Sequence, residues 1–280
     1  MKRFAIGSAE AGGPRLLIVA GPCVVESVEQ CLEVAARLKA ACARRRLPYV
    51  LKASYRKANR SSGRSFAGPP LDQALEALAR VRRDLEVPVL TDVHEVVEVA
   101  AAAEVADALQ IPAFLCRQTA LLEAAAASGR AVNVKKGQFL APADMQNAID
   151  KITAAGGARI LLTERGSSFG YGDLVVDMRS LVVMRELGWP VLYDATHSLQ
   201  RRGTHPEGGS GAETGGDRRF AFPLLRAAVA CGVDGVFFEA HPDPAHALSD
   251  AATQLPLEQV EAFLDEACRV HDAVAEASRV

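Results

Sequence analysis

The sequence predicts a single-domain (β/α)8 barrel of the TIM type over residues 1–280. Two observations predict it. Short runs rich in Val, Ile and Leu recur roughly every 25–40 residues without the apolar–polar alternation of a half-exposed strand, which is the pattern of buried parallel strands. Between them lie Ala/Leu/Glu/Arg stretches with helical spacing, and strict strand–helix alternation repeated eight times reads as a closed barrel. A doubly wound sheet shares the alternation, but its phosphate fingerprints GxGxxG and GxxxxGK[ST] are absent.

In order, the expected strands are 16–20, 48–51, 87–90, 106–111, 131–134, 159–162, 190–193 and 235–238. The helical stretches are 29–44, 71–84, 96–103, 120–128, 143–154, 178–187 and 222–231, and 257–277 closes the chain. Segment 201–217 is glycine-dense and poor in apolar residues. Coming after the seventh strand, it reads as a lid over the C-terminal mouth in preference to an inert insertion.

Composition is that of an ordinary globular protein, 49% hydrophobic and 24% charged. A net charge of −2 argues against a nucleic-acid partner. The six cysteines (Cys23, Cys31, Cys42, Cys116, Cys231, Cys268) have no close paired spacing, so a reduced cytoplasmic setting is expected. The first residues lack a signal-peptide core, and no apolar run reaches membrane-spanning length. Neither membrane nor nucleic acid is an expected partner.

Chemistry concentrates where the strands end, because polar residues just past each barrel strand share one mouth. Those positions hold Cys23 and Glu26; Lys52, Lys57, Asn59, Arg60 and Ser61; Asp92 and His94; Gln110; Lys135 and Lys136; Glu164 and Arg165; Asp194 and His197; Glu239 and His241. The stretch Lys52–Ser62 offers many donors and few negative charges, which suits a phosphorylated, oxygen-rich substrate as well as a solvated basic loop. Lys52, Lys57, Arg60, Lys135 and Arg165 are candidates to hold phosphate and carboxylate groups. Cys23, His197, Glu239 and Asp250 are ligand types for a divalent metal, although each taken singly is more often a structural residue.

Several strand-end motifs resemble one family. They are Ala20-Gly-Pro-Cys-Val-Val-Glu-Ser27, Lys52-Ala-Ser-Tyr-Arg-Lys-Ala-Asn-Arg-Ser-Ser62, Thr91-Asp-Val-His-Glu95, Asn133-Val-Lys-Lys-Gly-Gln138, Thr163-Glu-Arg-Gly-Ser-Ser-Phe-Gly170, Tyr193-Asp-Ala-Thr-His-Ser198 and Phe238-Glu-Ala-His-Pro-Asp-Pro244. With Leu109–Thr119 and Leu248-Ser-Asp250, the chain from about Ile18 to Val260 is similar to the 3-deoxy-D-manno-octulosonate 8-phosphate synthases. That resemblance implies a barrel enzyme of lipopolysaccharide sugar biosynthesis, condensing phosphoenolpyruvate with D-arabinose 5-phosphate and releasing phosphate.

It also implies roles. Lys135, Arg165 and the Ala113 backbone match the phosphoenolpyruvate phosphate clamp; Lys57 and Gln110 match partners of its carboxylate, with Lys52 close by. Asn59 matches a contact to the sugar hydroxyls, and Arg60 and Ser61 match the sugar-phosphate site. Arg117 matches a residue that reaches this phosphate from a neighbouring subunit, implying a homo-oligomer, usually a tetramer. Asp92 matches a residue lining the reacting centre, and Lys57, Asp92, Lys135 and His197 form the expected catalytic set.

Cysteine at position 23, where a metal-independent branch has asparagine, resembles the metal-requiring branch, with His197, Glu239 and Asp250 as further ligands. Zinc, ferrous iron and manganese all suit that set, in a catalytic or a structural role. Tyr55-Arg56 departs from the Phe-Asp common in the family. The related 3-deoxy-D-arabino-heptulosonate 7-phosphate synthases use erythrose 4-phosphate and typically lack the Ala58-Asn59 pair between Lys57 and Arg60, so that pair favours the five-carbon sugar.

Overall fold

A computed structural model describes residues 1–57, 66, 68–169, 172–201 and 215–277. Its first elements, β1 (Phe4–Ile6) and β2 (Ala9–Ala11), form an antiparallel hairpin. Strand–helix units follow: β3 (Leu17–Gly21) with α1 (Val28–Arg44), β4 (Tyr49–Lys52) with α2 (Leu71–Leu85), β5 (Val89–Asp92) with α3 (Val99–Val105), and β6 (Ala108–Ile111) with α4 (Thr119–Ala127). Next come β7 (Ala131–Lys135) with α5 (Met145–Ala154), then β8 (Ile160–Glu164), the short pair β9 (Ser167–Ser168) and β10 (Leu174–Val175), and α6 (Met178–Glu186). The last third holds β11 (Val191–Asp194), the ladder of β12 (Gln200–Arg201) with β13 (Gly215–Gly216), α7 (Ala221–Ala230), β14 (Gly235–His241), β15 (Leu255–Pro256) and α8 (Val260–Ala277).

Strands β3 to β8, β11 and β14 pair in parallel, and β14 returns to β3, so the sheet is the closed eight-stranded barrel expected. Closure needs Gly235: a Cβ there would meet the Leu17 carbonyl oxygen at 2.3 Å.

The helices lie where their apolar stripes predict, with small shifts of physical origin. In α1, Ser27 caps the first turn by accepting from Gln30 N at 3.1 Å, and Cys31, Val34, Ala35, Leu38, Ala41 and Cys42 form the buried face. The third helix starts at Val99 and not at residue 96, because Glu95 and Glu98 cap each other across a 3₁₀ turn first. Similar turns at Pro142–Asp144 and Leu257–Gln259 delay α5 and α8.

The hairpin β1–β2 was not expected. Ile6, Ala9 and Ala11 pack with one or two inward residues from every barrel strand, among them Leu17, Val50, Leu90, Ala108, Leu161 and Phe237. The hairpin therefore stops the end of the barrel from which the strands begin. Among the described residues, no helix is long and apolar enough to cross a membrane.

Candidate active site at the C-terminal mouth

Side chains on a strand alternate faces, so residues two apart share one. Starting from the apolar layer above the hairpin, one step of two carries every barrel strand except β3 to a polar group. Val50 leads to Lys52, Leu90 to Asp92, Ala108 to Gln110, Leu192 to Asp194 and Phe237 to Glu239. Ala131 leads through Asn133 to Lys135, and Leu161 through Thr163 to Arg165. All of these are buried, and they form one polar layer on an apolar floor. Phe237 lies under it, with the Lys135 ammonium 3.8 Å from its ring centre.

The layer is a connected network. Gln110 donates to Asp92 Oδ1 at 2.6 Å and accepts from Asn133 at 2.8 Å, and Asn133 accepts from Thr163 at 2.8 Å. Lys52 donates to Glu239 Oε1 at 2.5 Å and to the Cys23 carbonyl at 3.1 Å, and lies 3.8 Å from Asp92. Burial opposes ionisation of Asp92, yet Lys52 and Lys57 hold its carboxyl below the usual range.

Lys135 donates to Asp194 Oδ2 at 2.6 Å, and His197 Nδ1 lies 2.9 Å from the same oxygen. Asp194 Oδ1 accepts from the backbone N–H of Thr196 and His197. Burial works against the Asp194 anion, but His197 and Lys135 keep it well below the carboxylate range; burial, with Lys52 beside it, pulls the Lys135 ammonium down. With Nδ1 held against Asp194, His197 turns Nε2 toward Glu239 Oε1, 3.6 Å away.

Three predicted ligands converge. Cys23 Sγ and carboxylate oxygens of Glu239 and Asp250 lie within 4.8 Å of one another. Burial, then Asp250 and Glu239, push the Cys23 thiol well above its ordinary value. Asp250 has φ +47°, a left-handed conformation that aspartate tolerates better than most residues. Its carbonyl accepts from Thr253 N and Gln254 N, and its Oδ2 lies 3.0 Å from Cys23 Sγ. His197 stands outside this trio and reaches it through Glu239.

Lys57 lies 3.7 Å from Glu239 Oε1. Burial opposes its charge, but Cys23, Glu239, Asp250 and Asp92 together hold it above the ordinary lysine value. Arg165 is buried and donates to Gln200 at 2.5 Å. Ala113 is buried on the turn after β6, and Arg117 four residues on is exposed. Asn59, Arg60 and Ser61 lie outside the described residues, as does 202–214, most of the expected lid.

Sequence reading missed several supporting groups. Glu98 accepts from Tyr55 OH at 2.6 Å and forms an ion pair with Arg56 at 2.9 Å, tying the residues just before Lys57 to the β5 exit. Lys136 and Glu164, expected at the mouth with the other strand-end residues, instead point to the helix side as a buried pair 3.6 Å apart, because each is one residue out of step with its inward neighbour. Asp194 was visible at its strand end without a role, and Gln200 carried no motif signal. Strand parity, read outward from the apolar layer, would have found Asp194; no local signal marks the others.

Residues 5–276 match the profile of the DAHP synthetase I family. A Trichlorobacter lovleyi protein named 2-dehydro-3-deoxyphosphooctonate aldolase is 53% identical over 264 residues, covering 94% of this chain and 95% of that one. Proteins with the same name from Koribacter versatilis and a Cyanothece species are 51% and 52% identical, covering 97% and 94% of this chain and 96% and 94% of their own lengths.

Proposed function

This chain belongs to the DAHP synthetase I family, and we propose that it condenses phosphoenolpyruvate with D-arabinose 5-phosphate and water to give 3-deoxy-D-manno-octulosonate 8-phosphate and inorganic phosphate. The eight-carbon product matches the phosphooctonate in the relatives' names. The observation that carries the reading is that Lys135 and Arg165, both buried, stand in one mouth with the trio Cys23, Glu239 and Asp250.

In the reaction, C3 of phosphoenolpyruvate forms a bond to the aldehyde carbon of the sugar, whose oxygen takes a proton. Water adds at C2 and gives up a proton, and the C2–O bond breaks to release phosphate. Lys135 and Arg165 are assigned to the phosphoenolpyruvate phosphate, with the Ala113 backbone completing the clamp. Gln110 retains an amide N–H beyond the one given to Asp92, and with Lys57 it suits the carboxylate. Two anionic substrates repel each other, and these cations fix their approach. Asp194, held anionic by His197 and Lys135, keeps both groups aimed into the mouth. Asp92 orients Lys52 and Gln110 around the reacting carbons. Asn59, Arg60 and Ser61 are proposed for the sugar hydroxyls and phosphate.

We propose the metal-requiring form. Cys23, Glu239 and Asp250 would hold a divalent cation, joined by His197, whose Nε2 lies 3.6 Å from Glu239 Oε1 and whose Nδ1 is oriented by Asp194. The fit is supported by Glu239 Oε2, a buried oxygen without a hydrogen-bond partner among the described residues. Charge supports it as well: Lys52, Lys57, Lys135 and Arg165 only balance Asp92, Asp194, Glu239 and Asp250, so a dication would tip the described set toward its anionic substrates. When bound, zinc, ferrous iron or manganese would supply Lewis-acid polarisation of the aldehyde or a more acidic water.

A homotetramer is proposed with it. Arg117 is exposed on the segment after β6, as is Phe114 at 48%, and from there it suits a neighbouring copy's sugar phosphate.

The test is phosphate release from phosphoenolpyruvate with arabinose 5-phosphate or erythrose 4-phosphate, before and after chelation. Turnover with the five-carbon sugar, lost on chelation and restored by metal, is expected. Turnover that survives complete metal removal rejects the metal, and activity only with the four-carbon sugar rejects the octulosonate reading.

A further inference from the structure

The proposed phosphate clamp and the Cys23–Glu239–Asp250 trio meet in one side chain outside both. Gln200 accepts from Arg165 Nη2 through Oε1 at 2.5 Å and donates from Nε2 to Asp250 Oδ1 at 3.2 Å. A guanidinium on one side and a carboxylate on the other allow one orientation of the amide, because the flipped form sets N–H against cation and oxygen against anion. The root of the side chain is held too. Gln200 is paired with Gly216 across the β12–β13 ladder, Asp217 N donates to Leu199 O at 3.1 Å, and Arg218 donates to Ala251 O at 2.6 Å. Gly216 presses so closely on the Asp250 segment that a Cβ would meet Thr253 Cγ2 at 2.2 Å.

We propose that Gln200 is a positioning residue that couples the two halves of the site, so that phosphate held by Arg165 tightens metal binding at Asp250 and metal tightens phosphate. The inference rests on the function proposed above. The chain of contacts runs from Arg165 through Gln200 to Asp250 Oδ1, while Asp250 Oδ2 faces Cys23. Fixing Arg165 fixes the amide, and the amide fixes which way the carboxylate turns. The ordering cost is met by whichever ligand binds first, which makes the second bind more tightly. Linkage requires the same factor in both directions.

The experiment measures the zinc dissociation constant of metal-free protein by chelator competition, without and with saturating inorganic phosphate. In the wild type, phosphate is expected to tighten zinc about fivefold or more. In Gln200→Met, which keeps the volume and loses both hydrogen bonds, the two constants are expected to agree within about twofold. Gln200→Asn, one methylene too short to span both partners, is the second variant and is expected to lose the coupling as well. A purely structural role would weaken both ligands and leave their ratio intact. A wild type without coupling, or either variant retaining it, overturns the proposal. The same preparations are assayed for phosphate release: a wild type that turns over without coupling sinks this inference alone, and one that does not turn over sinks the proposed reaction.

Discussion

Replacing Lys52 by methionine tests the electrostatic logic of the mouth. Lys52 is 1% exposed, and its ammonium lies 2.5 Å from Glu239 Oε1. Methionine keeps the length and apolar stem and deletes the charge. Removing one partner of a buried ion pair costs about 3–5 kcal/mol, since the other charge stays buried. Glu239 retains Lys57 at 3.7 Å and His197 at 3.6 Å, so the lower end applies, about 3 kcal/mol. For a chain of this size that lowers the metal-free melting temperature by roughly 6–12 °C. The assay is thermal or urea unfolding of wild type and Lys52→Met in chelator and in a fixed zinc concentration. The variant should gain more from zinc than the wild type, because a dication then meets Glu239 with one competing ammonium fewer. A metal-free loss under about 1 kcal/mol, or equal gains in zinc, would refute the reasoning.

Three further outcomes are expected. Arg165→Lys removes the planar fork and the bond to Gln200, and should raise KM for phosphoenolpyruvate about 10–100-fold with little change for the sugar, read from steady-state kinetics. Gly216→Ala drives a methyl into Thr253 and should cost about 1–3 kcal/mol while weakening zinc binding, read by melting and chelator competition. Glu98 has its carboxyl held below the usual range: burial works against the anion, and Tyr55, the His94 N–H and Arg56 overcome it. A depressed folded-state pKa gives stability that is present above the unfolded value, about 4.3, and is lost as pH falls. The stability gap between wild type and Glu98→Gln should therefore hold steady above about pH 5 and narrow as pH drops from there to about 3; a constant gap in urea titrations across that range would contradict it.

Much of this was legible in the chain because barrel strands are short, buried and evenly spaced. The polar residue that ends each one, such as Lys52, Asp92 or Glu239, announces the mouth by interrupting an apolar run. What stayed hidden depends on partners far apart in sequence. Gln200 is an unremarkable amide until Arg165 and Asp250 are placed on either side of it. Glu98 looks like a helix-cap residue, which it also is, and its hold on Tyr55 and Arg56 needs the neighbouring strand in place. His197 was grouped with Cys23 and Asp250 as a ligand, whereas the side chains bring it first to Asp194 and Lys135. The β1–β2 hairpin escaped because three-residue strands such as Phe-Ala-Ile carry too little pattern to register as periodic.

That hairpin has a consequence for how the molecule is made. Its apolar residues Ile6, Ala9 and Ala11 find their partners only inside a finished ring, and the ring is finished only when β14 joins β3, more than two hundred residues downstream. During synthesis this segment emerges ahead of the strands it packs against and is thus seated after them. Until then it is an unpartnered apolar segment, and the ring lacks its stopper. Seating the hairpin and closing the barrel become a single late event of high sequence separation, the kind of contact that slows folding. A shortened chain that begins after β2 would leave Leu17, Val50 and Leu90 facing water at the open end, and aggregation during synthesis would reveal it before any loss of catalysis did.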